Sequence, residues 1–65
     1  MKLHMLKTKI FEKQKTYKEC AEALNISVTA FTSKMNGRSK FNVPEVKALA
    51  DFLGMTSAEL LSILS

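Results

Sequence analysis

Apolar residues recur along the chain at intervals of three and four, the period of an α-helix, in five successive groups. Residues 2–14 place Leu3, Leu6 and Ile10, and less regularly Met5 and Phe11, at helical spacing, with Lys2, Lys7, Lys9 and Lys13 on the remaining faces. Lys15-Thr16 interrupts this pattern. Thr16 with Glu19 three residues later has the spacing of a capping box, in which hydroxyl and carboxylate each accept a backbone N–H at a helix start. The helix from Tyr17 is expected to bury Cys20, Ala21 and Leu24, with Ala23 at its flank. Ser27 is placed to cap a third helix ending at Asn36, with Phe31 and Met35 on its inner side and Val28 leading them. Val43-Pro44-Glu45 starts a fourth, since proline is tolerated in a first turn that needs no N–H. Val46, Leu49, Ala50 and Leu53 give that helix one apolar face, and Gly54 closes it. Thr56 or Ser57 caps a last helix expected to bury Leu60, Leu61 and Leu64. With no linker-like, repetitive or low-complexity tract, residues 1–65 are expected to form one all-α domain, a compact five-helix bundle.

The pattern is most distinctive from Thr16 to Arg38, TYKECAEALNISVTAFTSKMNGR. Two short helices meet there at Leu24-Asn25-Ile26. Asn25 tolerates a left-handed backbone, and Gly37 adopts one more cheaply just past the second helix. Two helices joined by so short a turn make a helix-turn-helix, whose second member can lie in the major groove of DNA. On that second helix Thr29, Ala30, Thr32 and Ser33 form the arc opposite Phe31 and Met35. Short hydroxyl and methyl side chains let another surface approach closely, and they suit base edges and thymine methyls. The plainer reading is a solvated face, but such faces usually carry long charged residues and this one has only Lys34.

Ala21, the small polar residue at 25, Ile26-Ser27, Phe31 and Asn36-Gly37-Arg38 together resemble the helix-turn-helix of the Cro/C1-type phage repressors. The later run FNVPEVKALADFLGMTSAELLSIL resembles that family's fourth and fifth helices, so the likeness covers roughly residues 6–64. It implies a lambda-repressor-like fold with the motif in helices 2 and 3. Val28, Thr29, Thr32 and Ser33 would face bases. Tyr17 would hydrogen-bond a phosphate where relatives commonly use Gln, and Asn36, Arg38 and Lys40 would hold phosphates beyond the reading helix. One departure has a physical reading. Relatives often place Glu before the Asn-Gly pair, bonded to a basic residue of the first helix; here the two positions are Met35 and Ile10. Exchanging both ion-pair partners for apolar groups preserves a fold where exchanging one would strand a buried charge. Direct contact between Ile10 and Met35 is therefore expected.

Charge sharpens this picture. The net charge is +4, with ten Lys and Arg against six Asp and Glu, an excess that favours polyanions. Residues 34–40 carry Lys34, Arg38 and Lys40 and no acid, whereas Lys47 is the only basic residue from 41 to 65, against Glu45, Asp51 and Glu59. A DNA-facing side and a DNA-averse side are expected. The lysines of residues 2–14 could also suit a membrane surface, but a solvated face on a packing helix accounts for them.

Catalytic chemistry finds no foothold. The single His4 has no partner at metal-ligand spacing, and the single Cys20 reads as a small buried hydrophobe. There is no phosphate-binding Gly-rich loop, HExxH or CxxC, so neither enzyme, metal nor cofactor is expected. One cysteine excludes an intrachain disulfide framework and fits a reducing compartment. No apolar run reaches the roughly eighteen residues of a membrane span, and MKLHMLKTKIFEKQ does not read as a signal peptide. The expectation is a cytoplasmic, nucleoid-associated phage or prophage regulator that binds double-stranded DNA at a palindromic operator as a homodimer. Phe52, Met55 and any C-terminal leucines left exposed are its candidate interface. A chain stopping soon after the fifth helix is expected to be more than an excised N-terminal domain. The alternative is a protein-interaction module on the same scaffold, antitoxin-like or antirepressor-like, using the uncharged Val28–Ser33 face.

Overall fold

A computed structural model describes residues 1–65 as five helices and no strands: α1 (Leu3–Glu12), α2 (Tyr17–Leu24), α3 (Val28–Met35), α4 (Val43–Phe52) and α5 (Ser57–Leu64). The molecule measures 28 × 22 × 18 Å. Helix α2 lies at its centre, packed on both α3 and α4, while α1 pairs with α5. Every helix sends side chains to one core. Leu6 and Ile10 come from α1, Cys20 and Ala21 from α2, Phe31 and Met35 from α3, Leu49 and the adjoining Leu53 from α4, and Ile63 from α5. No polar or charged residue is buried. Ile10 and Met35 both lie within this cluster, so the two positions are apolar together.

The helix boundaries follow from local chemistry. Thr16, Asn42 and Thr56 each accept the N–H of a glutamate three residues on, and Glu19, Glu45 and Glu59 each accept the N–H of the capping residue in return. Ser27 accepts the Ala30 N–H at 3.0 Å. A side-chain cap is worth about 1 kcal/mol, and helices this short need it because nucleation is costly and propagation brief. Helix α1 has no side-chain cap; instead the Lys2 N–H donates to the Ile63 carbonyl at 2.9 Å, joining the start of α1 to the end of α5.

Four helices end in the same way. Past each of α1 to α4 stands one residue with positive φ: Gln14 (56°), Asn25 (58°), Gly37 (80°) and Gly54 (68°). The N–H of that residue and of its successor turn back to carbonyls of the last turn, as in Gln14 to Phe11 and Lys15 to Ile10, or Gly37 to Lys34 and Arg38 to Ser33. These paired bonds form the Schellman motif, which satisfies carbonyls left free where a helix stops.

Helix α5 corrects one expectation. Ile63 is fully buried and Leu60 half-buried, but Leu61 is 65% exposed and Leu64 is also exposed. Four aliphatic residues in five positions spread over an arc of about 160°, too wide for all to face one neighbour, and the side facing α1 is set by the main-chain link at Ile63 and by an ion pair between Lys9 and Glu59 (2.6 Å). From Ile63, Leu64 lies about 100° and Leu61 about 160° further round, on the outside. Phe11 is likewise exposed, as is Phe52, over whose ring Lys15 Nζ lies 5.2 Å from the centroid.

Candidate nucleic-acid interface

Helix α3 is held from behind. Phe31 is fully buried at its middle, its ring standing edge-on to Tyr17 (centroids 5.2 Å apart) and to Phe41 (5.9 Å). This run of three rings joins the start of α2, the middle of α3 and the loop before α4. Edge-to-face pairs of this kind add about 0.5–1.5 kcal/mol beyond the area they bury. Phe41 thus folds back onto α3 and anchors the loop before α4.

On the outer side, Val28 and Thr29 stand exposed in the first turn of α3, and Thr32 and Ser33, four residues on from each, are half-exposed. Residues four apart on a helix are neighbours, so these side chains make one uncharged stripe two residues wide. Ala30 is half-exposed beside it. Every group on the stripe is short: a valine, two threonines and a serine, offering hydroxyls and methyls within close reach of an apposed surface. Asn36, Arg38 and Lys40 are exposed in the turn that leaves the helix. Tyr17 is half-buried, its ring committed to Phe31.

Lys34 differs from its sequence reading. The sequence places it in a basic run without acids, but its side chain is only 17% exposed and its ammonium lies 3.0 Å from Glu45 Oε1. It also donates to the Lys40 carbonyl at 3.1 Å and sits 5.8 Å from the centre of the Phe41 ring. The N–H of Asn42 (2.9 Å), bonded to the same carboxylate, and Lys34 hold Glu45 below its ordinary range. The accessible cations of residues 34–40 are therefore Arg38 and Lys40. The structure adds an Asn42–Glu45 box at the same spacing as Thr16–Glu19, and Lys34 reaches it across eleven residues, a separation that local sequence patterns do not span.

Cys20 is fully buried, and burial, together with nearby Glu19, pushes its thiol above its ordinary value. Thiolate chemistry is thereby disfavoured. No group of three or more His, Cys, Asp or Glu side chains is placed to hold a metal ion, and no helix is long and apolar enough to cross a membrane.

The family model of the BetR domain matches residues 1–65. The chain belongs to the BetR domain family. This is a family of small helical, DNA-binding-like domains, and membership points to a DNA-binding regulator of the helix-turn-helix type. In this BetR domain the corresponding unit is α2, the Asn25-Ile26-Ser27 turn and α3. No curated protein and no solved structure matches the chain.

Proposed function

We propose that this BetR domain is a sequence-specific transcriptional regulator of phage or prophage type, which acts by occupying an operator with α3 in the major groove. The carrying observation is the two-sided character of α3: Phe31 and Met35 are buried behind it, while Val28, Thr29, Thr32 and Ser33 face outward beside Arg38 and Lys40. In this reading Val28, Thr29, Thr32 and Ser33 meet base edges, and Tyr17, Asn36, Arg38 and Lys40 meet phosphates. Phosphate contacts set register and supply salt-sensitive affinity, while base contacts carry the sequence information.

The stripe lacks a long Arg, Gln or Asn able to bond one base twice. Readout therefore rests on thymine methyls, hydroxyls, bridging water and groove shape. One such helix discriminates modestly, which favours two copies on a palindromic site. Neither enzymatic nor cofactor chemistry enters this function.

Selection of bound sequences from a random duplex pool, followed by affinity measurements across salt concentrations, tests the proposal. The expected result is an enriched palindrome and an affinity that falls steeply with salt. Indifference to every duplex would instead favour the protein-interaction module, whose contact would be the same uncharged stripe with Val28, 44% exposed, at its tip.

A further inference from the structure

We propose that Lys34 and Glu45 are positioning residues for the DNA contact: the Lys34 ammonium ties the loop between α3 and α4 in place and itself meets no phosphate. This inference rests on the DNA-binding reading and adds to it a division of labour among the cations.

The loop runs from Asn36 to Asn42 and is fastened at both ends. At its start, the N–H groups of Gly37, Arg38 and Ser39 turn back to the carbonyls of Lys34 and Ser33. At its end, one ammonium holds successive residues. Lys34 Nζ donates to the Lys40 carbonyl, lies beside the Phe41 ring, and pairs with the Glu45 carboxylate, which in turn accepts the Asn42 N–H. An ammonium has three N–H donors, and two of them are spent within the chain. Lys34 is also charge-neutralised by Glu45, so it has little left to offer a phosphate. What the tether leaves outside is Arg38, Ser39 and Lys40, all exposed.

Beside the loop is an open hollow of about 350 Å³ lined by Met1, Leu3, Lys34, Gly37, Ser39, Lys40 and Phe41. Released from Lys34, the loop has room to move, and the two outer cations lose their fixed spacing. Binding must then re-order the backbone that carries them, which costs conformational entropy.

Three substitutions test this. Lys34→Met keeps the stem without the cation, Glu45→Gln keeps an oxygen for the cap without the charge, and Lys34→Arg keeps the cation. For Lys34→Met on the selected duplex, affinity should fall about tenfold, the order expected for re-ordering one backbone residue, with the slope of log affinity against log salt unchanged. Glu45→Gln should weaken binding in the same direction, the double variant should be no weaker than the worse single one, and Lys34→Arg should stay within about twofold of wild type. Arg38→Gln, by contrast, should flatten the salt slope by about 0.9 per bound subunit. Order parameters of the Ser39 and Lys40 amides in the free protein should drop in both Lys34→Met and Glu45→Gln, with helicity by circular dichroism confirming that each folds. If Lys34→Met flattens the salt slope as Arg38→Gln does, or Glu45→Gln tightens binding by freeing the lysine, the positioning role is overturned and Lys34 is a phosphate contact. Unchanged loop order in both variants overturns it as well. A wild type that ignores every duplex overturns the DNA-binding function itself, and the positioning role with it.

Discussion

Glu45 and Glu59 do the same local work at the starts of α4 and α5, and they do different work in the fold. Each is the third residue of its helix, each returns a bond to its capping residue, and each accepts a lysine from another helix. At the front, Lys34 reaches Glu45 at 3.0 Å with both side chains less than a fifth exposed, and the same ammonium takes hold of Lys40 and Phe41. At the rear, Lys9 reaches Glu59 at 2.6 Å and shares itself with Glu12 at 3.4 Å; Glu59 is 36% exposed. The front pair shapes a loop that carries two free cations. The rear pair fastens α1 to α5 beside the Lys2–Ile63 main-chain bond. A capping box is therefore a local device whose tertiary role is assigned by whichever lysine the fold brings within reach.

The contrast breaks most visibly under deletion of packing. Phe31→Ala should cost about 3–5 kcal/mol, the range for emptying a fully buried aromatic site. Stability of roughly 0.05–0.15 kcal/mol per residue gives a chain this short about 3–10 kcal/mol in all, so the thermal transition should fall steeply or be lost. Leu61→Ala, on the exposed rear of α5, should change stability by no more than about 0.5 kcal/mol by the same measurement.

Acid should separate the two glutamates next. The Glu59 carboxyl is lowered from 4.5 to about 2, chiefly by the Lys9 hydrogen bond and then by the Thr56 N–H, and the Glu45 carboxyl is lowered as well. A carboxyl held lower in the folded state contributes stability above its unfolded value and loses it as pH falls through the folded one. The rear clasp should weaken between about pH 4.5 and 2, and Glu59→Gln should flatten that limb of a pH–stability curve. Lys9 is raised by the same contacts, so its contribution is complete below 10.5 and is lost at more alkaline pH. In a series of denaturant melts, Glu59→Gln should remove both limbs at the rear, while Glu45→Gln should flatten the acid limb.

The smallest effect lies between the two regions, in the turn from α1 to α2. Gln14 stands at φ 56° without the side-chain or glycine chemistry that eases such a backbone. Gln14→Gly should raise stability by about 0.5–1 kcal/mol by urea denaturation, less than the full strain because glycine also gains freedom when unfolded. The turn at 25, where asparagine already relieves part of the strain, should gain less from the same substitution.

Much of this fold was legible because its signals are short-range. The box at 16–19 and the caps at 27 and 56 depend on side chains within three residues of the backbone groups they satisfy, and the stops at 25, 37 and 54 on single residues that tolerate a left-handed backbone. The uncharged stripe on α3 could be read for the same reason, since residues four apart must share a face. Other features needed the tertiary arrangement. In α5, Leu60, Leu61, Ile63 and Leu64 are interchangeable by hydrophobicity, and only docking against α1 selects Ile63 for the interior. Lys34 looked like one more cation in a basic run, and its withdrawal depends on a carboxylate one helix away. Gln14 gives no compositional sign of its backbone at all.

The reading function proposed for α3 is tested most directly by titrating isotope-labelled protein with the selected duplex and following its amide and methyl resonances. The largest shifts should fall on Val28, Thr29, Thr32 and Ser33, with Arg38 and Lys40 following and the Leu61 and Leu64 methyls responding only where a second copy assembles on the site. Shifts confined to the Leu61–Leu64 side, with α3 unmoved at saturating duplex, would contradict it.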